Sequence, residues 1–387
     1  MNIKKIFSFR KKYYILNYNE LKNGDIILTC NKTAAGKIVM QATKSKFSHA
    51  AIYFDQSIIE STGNGVFSCN PQRILMKSPQ KFCVLRSKQE LDETEINKIR
   101  LFVREKIGTP YSCLEAVKTQ LPNLFPKIQT GRRLQFCSRF VAQAYAAIGI
   151  KIVKNPDYCS PADILHSDKL TIIENIVYPA SEDEIKFAKS KNPVTEHLKH
   201  FNYWIVKVRK IAQKEGKKII TENDLFPFLT EFPEYDSKIF SCIKKSGYAE
   251  DYKIECKNNP YRFDTELFLK KYLPAQDLQE ILLLELKKEN EVIPRYGINY
   301  LQTLLMISGY GNLKTFCLYS NMYLELLKIS KRKIEVLYEV AMETNPELQE
   351  IIMDQLELLT VLTDDNLQNE YDLNELSDFM YNYYSGC

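Results

Sequence analysis

Cys137 opens the run CSRFVAQAYAAIGI, in which Phe140, Val141, Ala144, Tyr145 and Ile148 recur at three- and four-residue intervals. That spacing predicts a helix with one buried face and the cysteine at or just before its N-terminus. Unpaired backbone N–H groups and the positive end of the helix dipole lower a thiol pKa at such a position. The chemistry on offer is nucleophilic attack by a thiolate. The plainer alternative is a small buried residue, because free cysteine is among the most often buried types. Position alone does not decide between them.

A cysteine nucleophile needs a base within hydrogen-bond reach, and the chain has four histidines. His49 opens the strand-like HAAIYF, where Ala50 and Ala51 leave room beside the ring. A two-residue turn at Asp55-Gln56 would set residue 51 opposite 60 and residue 49 opposite 62. Alternation then puts His49, Ala51, Ile58, Glu60 and Thr62 on one sheet face, with Glu60 the diagonal neighbour of His49. A carboxylate there can fix the imidazole tautomer and stabilise imidazolium beside a thiolate; an edge salt bridge is the competing reading. His166 follows a Pro-Ala-Asp turn. His197 and His200, three apart on a charged helical stretch, read as a solvated helix face rather than metal ligands.

These residues need a scaffold. GDIILTC (Gly24–Cys30), SHAAIYF (Ser48–Phe54), SIIES (Ser57–Ser61), GVFSC (Gly65–Cys69) and KFCVLRS (Lys81–Ser87) are short, β-branched or aromatic, and bounded by turn residues. Glu90–Gly108 reads as a helix with an acidic first turn and a terminal glycine, and a second helix begins near Ser138. Residues 1–190 therefore read as an α+β domain, a small antiparallel sheet with helices packed on it. The polar stretch Pro179–Pro193 makes a boundary. Residues 191–387 carry amphipathic helical patterns and read as an all-α accessory domain without a catalytic motif.

At 387 residues, 45% hydrophobic and 26% charged, the chain has the composition of a globular protein large enough for two cores. No apolar run approaches the roughly 18–20 residues of a membrane span. The basic start MNIKKIFSFRKK is not followed by an apolar core and a small-residue cleavage site. A cytoplasmic location is expected, with signal-independent export left open. That start can touch an anionic membrane surface weakly, although a solvated terminus is the preferred reading. Ten cysteines without a CxxC pair argue for free thiols and against structural zinc, and neither metal nor cofactor is expected. Eleven acidic and no basic residues lie between Ala341 and Cys387, which concentrates the positive excess in residues 1–340. The basic residues are scattered and no recognised module appears, so nucleic acid is not an expected partner. Thr33–Val39 has a Gly-Lys step but lacks the rest of a phosphate-binding loop.

The order GDIIL, SHAAIYF, IIES with GNGV, GTPYS, FCSRFVAQAY and SPADIL resembles the permuted NlpC-type papain-like cysteine hydrolases. It is most similar to the branch that holds YiiX/YebB-like proteins and poxvirus homologues, with lecithin:retinol acyltransferase more distant. In this branch the histidine strand precedes the cysteine helix. The resemblance covers about residues 20–175 and implies a permuted papain-like fold there. By position it implies Cys137 as nucleophile, His49 as general base and Glu60 as the residue orienting that base. It also implies Tyr111, in GTPYS, as an aromatic site-lining position, and the Cys137 backbone N–H as part of an oxyanion hole. The second half has no counterpart in the resemblance.

The expected reaction is acyl transfer through a thioester, and three readings compete. The first is hydrolysis of an amide bond in a peptide, an isopeptide or a related substrate. The second is lipid acyl hydrolysis or transfer with the same thiol. The third, a non-catalytic binding module, is disfavoured by the intact Cys137 and His49. The helical half is a candidate surface for a protein partner.

Overall fold

Runs rich in isoleucine, valine, phenylalanine and tyrosine form the strands of the first half. They are β1 (Tyr14–Leu16), β2 (Ile26–Thr29), β3 (His49–Phe54), β4 (Ser57–Thr62), β5 (Gly65–Cys69), β6 (Phe82–Ser87), β7 (Leu170–Ile173) and β8 (Val177–Pro179). The computed structural model describes residues 12–30, 40–41, 45–110, 136–272, 278–364, 367 and 371–385. The chain divides into two compact units, Met1–Thr195 with Ile219–Glu222, and Glu196–Lys218 with Asn223–Cys387.

In the first unit six strands make an antiparallel sheet in the order β5-β4-β3-β2-β6-β7, while β1 pairs with β8 in a separate ladder. The β3–β4 hairpin turns on Asp55 and Gln56, whose φ angles of 46° and 60° are both positive. A turn of that kind matches the twist of its flanking strands and normally favours Asn-Gly. Here tertiary contacts hold it instead. The Asp55 carboxylate meets Arg100 Nε at 3.0 Å, and the Asp55 N–H donates to Asn23 Oδ1 at 2.9 Å. The resulting register sets Phe54 opposite Ser57 and Ala51 opposite Glu60.

Both faces of the sheet are covered. One carries Ile26, Leu28, Ala50, Ile52, Phe54 and Leu85, packed with Ile99 and Val103 and with Phe140, Val141, Ala144 and Tyr145. Those partners lie on α1 (Glu93–Lys106) and α2 (Cys137–Ala146). The other face carries Ile27, Ala51, Tyr53, Ile58 and Val84, closed by Leu16, Leu21 and Ile176. The first turn of α1 is held by a reciprocal cap between Asp92 and Glu95. A short helix, α3 (Pro161–Leu165), begins with the same device between Ser160 and Asp163. At the start of β2, Asp25 is buried and meets Arg86 Nε and Nη2 at 2.7 Å each. The Tyr145 hydroxyl donates to the Gly24 carbonyl at 2.7 Å, which ties α2 to the turn before β2.

Among the described residues the second unit contains only helices. After α4 (Glu182–Lys189), which belongs to the first unit, come α5 (Pro193–Lys214), α6 (Leu225–Glu231), α7 (Asp236–Ser246), α8 (Tyr252–Asn258) and α9 (Thr265–Tyr272). The longest helices are α10 (Leu278–Tyr310) and α11 (Lys314–Thr344). Their shared core includes Leu301, Leu327, Ile334, Val336 and Val340. No helix among the described residues is long and apolar enough to cross a membrane.

Candidate active site

Cys137 is the first residue of α2, and the preceding Phe136 supplies no side-chain cap. The orphan N–H groups of the first turn are thus not consumed by a capping oxygen. The apolar stripe Phe140, Val141, Ala144 and Tyr145 anchors the helix against the sheet. Polar contacts fix its first turns from the other side. Ser138 Oγ donates to the Cys159 carbonyl at 2.6 Å, and Arg139 Nε donates to the Asp157 carbonyl at 2.8 Å. Gln143 Nε2 donates to Asp157 Oδ1 at 2.6 Å. The thiol itself is buried at 7% exposure.

The His49 side chain and the backbone N–H groups of Ala50 and Ser138 neighbour the sulfur and favour its thiolate. The β3–β4 register ends at Ala51 and Glu60, so the next amide along β3, that of Ala50, is the one directed to the sulfur. On its other side His49 Nε2 donates to Glu60 Oε2 at 2.6 Å. An imidazole nitrogen has one in-plane direction, so the nitrogen left for Cys137 is Nδ1. Structure thus brings Cys137, His49 and Glu60 into one chain of contacts. Tyr111 lies outside the described residues, as do Cys113, Thr33–Val39 and the basic N-terminal stretch.

The charges follow from these contacts. Burial penalises a charged His49, but hydrogen bonds to Cys137 and Glu60 and the charges of both override it, lifting the imidazole from 6.5 to about 10. Burial works against a Cys137 thiolate as well. The His49 hydrogen bond and charge, aided by the two backbone amides, still bring the thiol below its ordinary value. Glu60 is held below the usual carboxylate range against its burial, by His49 and by a hydrogen bond from Cys69. Among the described residues, the other cysteines whose acidity shifts go the opposite way. Burial pushes Cys83 to about 11 and Cys159 to about 12, and it raises Cys69 and Cys256 as well. Thiolate–imidazolium is therefore the favoured state of the Cys137–His49 pair, which titrates as a unit.

Cys69 is the participant that sequence reasoning passed over. The signal was present, because Gly63-Asn64 closes a second two-residue hairpin with Thr62 opposite Gly65 and Cys69 opposite Ile58. Alternation then returns Cys69 to the face of Glu60. In the second unit, His197 and His200 are not simply solvated. Each places Nδ1 on one oxygen of Asp251, at 2.7 and 2.5 Å, although both rings stay more than a third exposed. Among the described residues no group of three or more His, Cys, Asp or Glu side chains is arranged to hold a metal ion.

In chain order the histidine strand comes before the cysteine helix, and comparison with known proteins accounts for that order. Residues 20–173 match the permuted papain-like amidases. The matching family model is described as permuted papain-like amidase enzyme, YaeF/YiiX, C92 family. Its span covers the six-stranded sheet and the Cys137 helix, and it agrees with the permuted papain-like resemblance read from the motifs. A crystal structure described as metalloprotein yiiX from Escherichia coli O157:H7 shares 18% identity with this chain. That alignment covers 39% of this chain and 96% of the other, with a TM-score of 0.32. No curated protein matches significantly.

Proposed function

We propose that the first unit is a cysteine-dependent amide hydrolase, with Cys137 as nucleophile, His49 as acid and base, and Glu60 orienting the imidazole. The observation that carries this reading is His49 held between Glu60 and the one cysteine, among the described residues, whose acidity is raised. The amidase family matched over residues 20–173 supports an amide substrate, such as a peptide or isopeptide.

In the proposed cycle the Cys137 thiolate attacks the carbonyl carbon, and the carbonyl electron pair moves to oxygen. The backbone N–H of Cys137 stabilises that oxyanion at the helix N-terminus. Collapse breaks the C–N bond, and His49 gives its Nδ1 proton to the departing amine. A thioester remains on Cys137. His49, now neutral, takes a proton from water as the water attacks the thioester. The carboxylic acid leaves, and the thiolate–imidazolium pair is restored. Glu60 keeps its negative charge throughout and holds the ring in the productive tautomer.

Mass spectrometry of the acyl group on Cys137 tests the reading. The chain would be incubated separately with a peptide-amide library and with fatty-acyl esters, quenched in acid and mapped. A peptidyl mass on Cys137, absent from Cys137→Ala, is expected. A fatty-acyl mass alone would replace the amide substrate with a lipid one, and no adduct from either set would overturn the hydrolase reading.

A further inference from the structure

Glu60 is flanked by two thiol-related groups that play different parts. On β3 stands His49, which serves Cys137. On β5, the partner of Glu60 in the ladder is Phe67 and the partner of Ile58 is Cys69. Cross-strand partners share a face, so Cys69 stands diagonally beside Glu60 on the side opposite His49. The thiol is partly buried and is grouped with Ala51, Tyr53 and Ile58 on that face. That diagonal placement sets the thiol beside the Glu60 carboxylate, and each shifts the acidity of the other.

We infer that Cys69 is a positioning residue for this site, donating its S–H to Glu60 so that the carboxylate stays ionised and aimed at His49. The inference rests on the cysteine-hydrolase reading given above. An ionised carboxylate can only accept, so the thiol meets it as a donor. Burial and the charge of Glu60 both push the Cys69 thiol above its ordinary value, which keeps its proton on sulfur through the working range of pH. Among the described residues, the titratable groups acting on Glu60 are His49 from β3 and Cys69 from β5. Without the thiol, Glu60 has one donor left to offset its burial. It then takes up a proton sooner as pH falls, His49 loses its countercharge, and the Cys137 thiolate loses its partner. Cys69 touches none of the reacting atoms and acts through Glu60 alone.

The pH profile of Cys137 alkylation reads this directly. Full-length wild type, Cys69→Ser, Cys69→Ala and Cys69→Val would be treated with iodoacetamide, and labelling of the Cys137 peptide followed by mass spectrometry. Serine keeps a donor and retains the wild-type acid limb. Alanine and valine, which cannot donate, move that limb up by roughly 0.5–1 pH unit. Folded alanine and valine variants with an unmoved limb would overturn the inference. So would loss of folding in both, which would make the thiol a structural group. A wild-type profile with no lowered limb, or one unchanged by His49→Ala, would instead count against the hydrolase reading itself.

Discussion

Glu60 stands opposite Ala51 in the β3–β4 ladder, two residues along from His49, yet its Oε2 lies 2.6 Å from His49 Nε2. The contact is diagonal, and it depends on a register fixed at the far end of the hairpin. A slip of one residue would turn Glu60 to the opposite sheet face and leave the imidazole without its carboxylate. The site is therefore coupled to the turn at Asp55-Gln56, well away from the thiol.

Replacing Glu60 with Gln keeps the size of the side chain and removes its charge. Imidazolium at His49 is then less stable, and thiolate at Cys137 with it. The rate of Cys137 acylation should fall by about a hundredfold, while thermal unfolding changes little. An unchanged rate would remove Glu60 from the mechanism.

His49 should carry protons on both ring nitrogens well above neutrality, because its pKa is lifted to about 10. Raising this value extends the acid form upward in pH, so the proton donor for the leaving group is lost only as pH passes through about 10. Nitrogen-15 NMR of the imidazoles reads this without a substrate. In Cys137→Ala the same resonance should titrate at lower pH. A wild-type ring that titrates near 6.5 would contradict the ion pair.

Gln56 holds a positive φ of 60° without being glycine. The left-handed region costs a non-glycine residue roughly 1–2 kcal/mol, part of which a glycine gives back as unfolded-chain entropy. Gln56→Gly should therefore stabilise the chain by about 0.5 kcal/mol in denaturant unfolding. A loss of stability would show that the glutamine side chain supports the turn.

Asp25 and Arg86 test the scaffold apart from the chemistry. The Asp25 side chain is fully buried against a partly exposed Arg86. Asp25→Ala leaves the arginine without its carboxylate, with the Glu20 carbonyl still accepting from Nη2, and should cost about 3 kcal/mol. Labelling of Cys137 in the fraction that remains folded should not change. A selective loss of labelling would place Asp25 in the site's machinery.

Much of the site's framework can be read from local pattern. Strand alternation and the Asp55-Gln56 turn are enough to put His49 and Glu60 on one face, and helical spacing after Cys137 is enough to put the thiol at or just before a helix N-terminus. What hides from such a reading is long-range. Asp251 reaches His197 and His200 from 54 and 51 residues away, and no spacing rule connects them. β7 and β8 are short strands, LTII and VYP, whose pairing with β6 and β1 depends on partners distant in the chain. Cys69 was accessible by hairpin arithmetic alone, but a thiol in GVFSC carries no sign of function until a carboxylate stands beside it.

The central claim is that Cys137 is poised as a thiolate by His49. The pH dependence of Cys137-specific alkylation, compared between wild type and His49→Ala, tests it most directly. Wild type should label Cys137 faster than every other cysteine at about pH 6, where an ordinary thiol is protonated. In His49→Ala that labelling should fall by at least about tenfold and recover only toward the ordinary thiol range. Equal labelling of Cys137 in the two proteins, or a wild-type rate no greater than that of the other cysteines, would contradict the account.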